Sequence, residues 1–150
     1  MKILLGSDHA GFEMRRKIAA HLRDLGHEVD EKGACSSGES CSYARSASEV
    51  CQSLQLKETD MGILICGTGI GISMAANKVS GIRAALCNNE YMAQMARQHN
   101  NANVLALGAR VIGEQLALAI VDRFLQTEYE GGRHQIRLDE MQQLERGELL

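Results

Sequence analysis

The run Ile63-Leu64-Ile65, closed by Cys66 and followed by Gly67-Thr68-Gly69-Ile70-Gly71-Ile72-Ser73, restricts this chain more than any other stretch. A short apolar run rich in β-branched residues is the pattern of a strand buried on both faces. Glycines at three alternate positions then make a tight turn, and from Ser73 the sequence Met74-Ala75-Ala76-Asn77-Lys78 can begin a helix. Strand, glycine turn and helix start leave several backbone N–H groups aimed at one spot. The helix dipole adds partial positive charge there, which suits an anion. Cys66 stands beside that spot.

The flanking chain repeats the same alternation. Residues 2–6 read as a first strand, cut off by Ser7-Asp8-His9-Ala10-Gly11. From about Phe12 the pattern is helical, with Ile18, Ala19, Leu22 and Leu25 on one face, Arg15, Arg16 and Arg23 largely off it, and Gly26 as C-cap. Residues 27–30 form a weak, polar strand suited to a sheet edge, and residues 32–42 are the least structured piece. A helix over 43–56 precedes the central strand. Residues 82–87 are the fourth strand, 90–98 a helix and 103–107 the fifth strand. Ile112, Leu116, Ile120 and Phe124 stripe a long helix, and after Gly131-Gly132 a polar helix starts near His134. This alternation predicts an α/β, Rossmann-like fold: a five-stranded parallel sheet with helices on both faces and a C-terminal helix. At 150 residues the whole of 1–150 reads as one domain. Ligands of such sheets bind outside the carboxyl ends of the strands where strand order reverses. With an order of 2-1-3-4-5, the loops carrying Asp8, His9 and residues 66–71 flank that point.

Bulk properties exclude several classes. A formal net charge of −3 argues against general nucleic-acid binding. The five cysteines, at 35, 41, 51, 66 and 87, are odd in number and form no C-x-x-C pair. This speaks against a disulfide framework or a zinc knuckle and fits a reducing compartment. The apolar run after Met1-Lys2 is too short for a signal peptide, and no segment approaches a membrane span. The expectation is a soluble cytoplasmic protein without nucleic-acid or membrane partners.

Three familiar glycine loops can be tested against residues 66–73. A dinucleotide fingerprint needs glycine where Ile72 stands, a P-loop needs a lysine that is missing, and a cysteine phosphatase needs arginine at that same Ile72. What remains is a thiol, exposed amides and the Thr68 hydroxyl. That is equipment for taking a proton from carbon and stabilising an enediolate. The plainer alternative is that Cys66 is a small buried apolar residue and the glycines allow tight packing. The loop alone leaves both open.

Other polar groups carry the same double meaning. Asp8 can cap the first helix or serve a site, with His9 beside it. His99, at a helix end after Arg97-Gln98, is favourable there as a cation and is also a proton carrier near neutrality. Arg133 and Arg137 share a helical face and can converge on one phosphate, or simply form a solvated basic edge. Arg110 follows strand five on the ligand side. His21, His27 and His134 read as surface residues, and the seven methionines as core.

Gly6-Ser7-Asp8-His9-Ala10-Gly11, residues 65–73, Ala76-Asn77-Lys78, Gly81-Ile82-Arg83-Ala84, Arg97-Gln98-His99-Asn100 and Leu107-Gly108-Ala109-Arg110-Val111 together resemble the type B ribose-5-phosphate isomerases. That family also includes the galactose-6-phosphate isomerase subunits. The resemblance covers nearly the whole chain, from Lys2 to about Arg137. It implies an aldose–ketose isomerase acting on ribose 5-phosphate, or on a hexose 6-phosphate such as allose 6-phosphate. It also implies no metal or organic cofactor, and a homodimer or dimer of dimers with shared sites. By that resemblance Cys66 would shuttle a proton between C2 and C1, and Thr68 would assist transfer between the oxygens. The amides of Gly67, Gly69, Ile70 and Gly71 would hold the enediolate, with Ser73 also among the substrate-binding residues. Asp8 and His99 would help open the furanose ring. His9, Arg110, Arg133 and Arg137 would bind phosphate, some from the partner subunit, and Asn100 would touch sugar hydroxyls. Where the family commonly has Asp-Tyr-Pro, this chain has Ser42-Tyr43-Ala44, with Cys35 and Cys41 in the same loop and no proline anywhere. One carboxylate is thereby lost, while Tyr43 still lines the sugar site. The alternative reading is a non-catalytic sugar-phosphate sensor of the same fold.

Overall fold

The computed structural model describes every residue except Cys35 and Glu39, so the expectation concerning Cys35 lies outside the described residues. Strands β1 (Lys2–Ser7), β2 (Glu28–Gly33), β3 (Met61–Cys66), β4 (Ala84–Leu86) and β5 (Val104–Gly108) form one parallel five-stranded sheet. Helices α1 (Phe12–Asp24), α2 (Tyr43–Gln55), α3 (Ile70–Ala76), α4 (Glu90–Gln98), α5 (Glu114–Gln126) and α6 (Arg133–Glu145) alternate with and follow the strands.

The two-residue period of a strand divides its side chains between two cores. Ile3, Leu5, Ile63, Ile65, Leu105 and Leu107 pack against α1, α4 and α5. Leu4, Leu64, Cys66, Val104 and Ala106 pack against α2 and α3. Burying each large aliphatic chain contributes roughly 1.5–3 kcal/mol, which is why the central strands read as unbroken apolar runs.

The sheet order is β2-β1-β3-β5-β4, not 2-1-3-4-5. All five residues of β5 are buried and need neighbours on both sides, whereas the three residues of β4 are half-buried and suit an edge. The reversal between β1 and β3 is unaffected. The edge is closed by Asn77, whose side-chain amide accepts from the Ala84 N–H at 2.8 Å and donates to the Ala84 carbonyl at 2.9 Å. The amide thus occupies the hydrogen-bonding groups that an invading strand would use.

Several details differ from the sequence reading. Helix α1 buries Ile18, Ala19 and Leu22, but Leu25 is its C-cap and 55% exposed. Gly26, at φ +87°, follows it in a Schellman arrangement, with His27 N–H donating to Leu22 O and Gly26 N–H to Arg23 O. Arg15 is buried, 5% exposed, because every donor group has a partner. It donates to Ser7 Oγ at 2.9 Å, Lys32 O at 2.7 Å, Ala34 O at 2.9 Å and Glu31 Oε2 at 3.1 Å. The end of β1, one residue before Asp8, is therefore clamped to the end of β2. In α5 the buried face is Ala117, Ile120, Val121 and Phe124; Leu116 is exposed, and Ile112 precedes the helix. The methionines are not core residues: Met74, Met92 and Met141 are exposed, and Met14 and Met61 pack only at its border. Nor is His21 a plain surface residue, since its Nε2 lies 2.7 Å from Asp122 Oδ1 on α5. Among the described residues, no helix is long and apolar enough to cross a membrane.

Candidate active site

At the carboxyl ends of β1, β3 and β5 the chain brings together the first half of the expected constellation. Cys66 ends β3 and is 4% exposed. The Gly69 N–H donates to its Sγ at 3.2 Å, a donor that stabilises negative charge on sulfur. Gly69 itself sits at φ +77°, the left-handed turn from which helix α3 starts. Helix α3 begins at Ile70, three residues before Ser73, so Gly71 lies within its first turn. The Thr68 side chain is exposed, and its Oγ1 accepts from Ile70 N–H at 3.2 Å. Ser73 Oγ donates to Ile70 O at 2.8 Å, which ties the hydroxyl into the helix.

Two neighbours lean over the glycines. Ala109 and Arg110 N–H groups donate to the carbonyls of Cys66 and Gly67, both at 2.9 Å. That turn lays the Arg110 guanidinium over Gly67, where an added Cβ would meet Nη1 at 3.2 Å. An added Cβ on Gly71 would fall 2.8 Å from the Tyr43 ring, so the ring rests against the first turn of α3. From β1, Asp8 is buried and its Oδ1 accepts from Gly11 N–H at 3.1 Å, which caps the entry to α1. His9 Nδ1 accepts from Cys41 N–H at 3.4 Å. A neutral ring with that nitrogen accepting carries its proton on Nε2, as a donor for an anion.

Gly69 admits a direct test. An added Cβ would lie 2.5 Å from Leu86 Cδ1 and 2.9 Å from the Leu107 carbonyl carbon, at a backbone angle side chains rarely adopt. Gly69→Ala is expected to destabilise the protein by about 2 kcal/mol or more. Calorimetry would read this as a Tm several degrees lower.

The remaining candidates stand elsewhere. His99 is the C-cap of α4 and Asn100 follows it; both precede β5, at whose amino end Asn103 O accepts from Gly62 N–H. Cys66 instead pairs with Gly108 at the far end of β5. One strand of that length separates the two groups by roughly 15 Å. Arg97 holds the loop between α4 and β5. It donates to Ala102 O at 2.6 Å, Asn101 Oδ1 at 3.0 Å and Thr127 O at 3.3 Å. Burial, reinforced by the nearby Arg83 charge, pulls the Arg97 guanidinium below its ordinary pKa. Arg83 donates to the carbonyls of Asn100 and Asn101. Asn100 and Arg83 also border a cavity of about 480 Å³ under α6, with Leu138 and Met141.

Arg133 opens α6, and Arg137, one turn on, is exposed and paired with Glu140 at 2.9 Å. Between them, His134 corrects its reading as an isolated surface residue: its ring stacks on His99 at 4.1 Å, planes 14° apart. Its position between two arginines of interest, three residues before Arg137, was the signal available in the sequence. Asp8, His9, Tyr43, residues 66–71 and Arg110 thus gather at one end of the sheet. His99, Asn100, Arg133 and Arg137 do not join them within one chain.

A thiol-and-amide loop thus stands at the switch point of a parallel sheet, and comparison with known proteins gives the family. The model of the ribose/galactose isomerase family matches residues 3–141. Ribose-5-phosphate isomerase B of Escherichia coli (strain K12) is 52% identical over 144 residues, 96% of each chain. The structure of Clostridium thermocellum ribose-5-phosphate isomerase B superposes with a TM-score of 0.96 at 50% identity, covering 98% of this chain and 99% of that one. That of Mycoplasma genitalium ribose-5-phosphate isomerase B, with bound ribulose 5-phosphate, gives 0.91 at 41% identity, covering 97% and 96%. The chain belongs to the ribose/galactose isomerase family.

Proposed function

We propose that this chain is an aldose–ketose isomerase that interconverts ribose 5-phosphate and ribulose 5-phosphate. The observation that carries the reading is the Gly69 N–H donated to Cys66 Sγ at the carboxyl end of β3. In the open-chain aldose, the Cys66 thiolate takes the C2 proton, the C–H electron pair forms the C1–C2 double bond, and charge moves to O1. The amides of Gly67, Gly69, Ile70 and Gly71 stabilise that enediolate. Thr68 relays the O2 proton to O1, and the Cys66 thiol returns its proton to C1, leaving the ketone at C2. Asp8 and His99 assist ring opening, Tyr43, Ser73 and Asn100 line the sugar, and His9, Arg110, Arg133 and Arg137 bind phosphate.

Because the two halves of this set lie at opposite ends of one sheet, the site is completed by a second copy in a homodimer or dimer of dimers. Residues 1–150 act as one isomerase domain. The unpaired thiols of Cys41, Cys51, Cys66 and Cys87 support a reducing, cytoplasmic setting.

The test is to mix the purified protein with ribose 5-phosphate and a chelator and follow ketose formation. Turnover is expected without added metal. Turnover only on allose 6-phosphate or galactose 6-phosphate would reassign the substrate, and binding without turnover on any of the three would make the protein a sensor.

A further inference from the structure

Away from the thiol loop, three potential metal ligands converge. The donor atoms of His99, Glu130 and His134 all lie within 4.8 Å of one another. They come from three separate elements: the C-cap of α4, the connection between α5 and α6, and the first turn of α6. The main chain holds them in register. Glu130 N–H donates to Gln98 O at 3.1 Å, His99 N–H to Met95 O at 2.9 Å and His134 N–H to Gly131 O at 3.1 Å. Glu130 Oε2 already lies 3.5 Å from His134 Nε2. Within one chain both histidines are half-buried and the carboxylate is exposed.

Two imidazoles and one carboxylate form the donor set that borderline divalent ions take in open three-ligand sites, with water in the fourth position. Harder ions such as Mg²⁺ or Ca²⁺ want more oxygen, and soft ions want thiolate. The rings are stacked at 4.1 Å, so their lone pairs run side by side. Convergence needs one ring to turn about χ2, a soft, broadly populated torsion in histidine. We infer that His99, Glu130 and His134 form a binding site for a divalent ion of the Zn²⁺ or Co²⁺ kind. The ion is not a cofactor of the isomerase. It immobilises His99, so its consequence for turnover is inhibition, and that consequence alone rests on the role proposed for His99 above.

The experiment is a Co²⁺ titration of the intact protein, read by visible absorption and calorimetry alongside turnover. One ion per chain is expected, with ligand-field bands and no thiolate-to-cobalt charge transfer. Glu130→Gln, which leaves both histidines in place, is expected to weaken Co²⁺ binding roughly tenfold or more. The metal concentration that halves turnover should rise with it. Thiolate charge transfer, an unchanged affinity in Glu130→Gln, or no binding would each overturn the proposal. Glu130-dependent binding with undiminished turnover would uphold the site and instead overturn the role of His99. The absorption readout does not depend on the isomerase reading.

Discussion

Cys66→Ala is expected to lower kcat by about a thousandfold or more, equivalent to roughly 4 kcal/mol of transition-state stabilisation. The two other core thiols cannot substitute. Cys51 and Cys87 are buried, and burial pushes their thiols up to about 11 and about 12, so neither carries a thiolate near neutrality. The fold should survive, because alanine removes a single side-chain atom from the α2–α3 core, a loss of about 1 kcal/mol. Sugar-phosphate affinity should also stay near its original value, since the arginines and His9 are untouched. Progress curves, calorimetric Tm and equilibrium binding separate these effects. A mutant that keeps turnover within tenfold of the parent would show that Cys66 is not the base.

Mixing two inactive variants is expected to restore activity. Cys66→Ala lacks the proposed base and His99→Asn lacks a group from the other end of the sheet. Each homodimer should be nearly inactive. In a mixed dimer with an isologous interface, one site joins the intact Cys66 of one subunit to the intact His99 of the other, and the second site carries both defects. Random re-association after dissociation should therefore recover about a quarter of the parent activity. If His99 and Cys66 served the same site within one chain, mixing would recover nothing. A co-expressed pair with different tags, purified through both, would give about half the parent activity per dimer by the same reasoning. The strand-length gap between Gly108, beside Cys66, and Asn103, beyond His99, sets this expectation.

The parts of the site that were legible in the sequence are those whose geometry is local. Cys66, Thr68 and the glycines are consecutive, so a strand end, a tight turn and a helix start bring the Gly69 N–H to the sulfur through local geometry. Asp8 and His9 were legible for a related reason: a strand that stops at Gly6-Ser7 must release the next residues at its carboxyl end. Arg15 was misread because helical periodicity assigns a face without knowing that Ser7, Glu31, Lys32 and Ala34 would surround that face with acceptors. The order of β4 and β5 was misread because chain order says nothing about which strand needs two neighbours.

By itself, then, the sequence determined the alternation of strands and helices, the parallel sheet that follows from it, and the loop of thiol and amides at Cys66. Those depend on side-chain period, turn chemistry and chain direction, which act over a few residues. Only the tertiary structure decided that β4 forms the edge closed by Asn77, that His134 stacks on His99, and that the expected site is divided between opposite ends of the sheet. These depend on contacts between residues far apart in the chain, where burial and hydrogen-bond satisfaction select one arrangement among several that the local pattern allows equally.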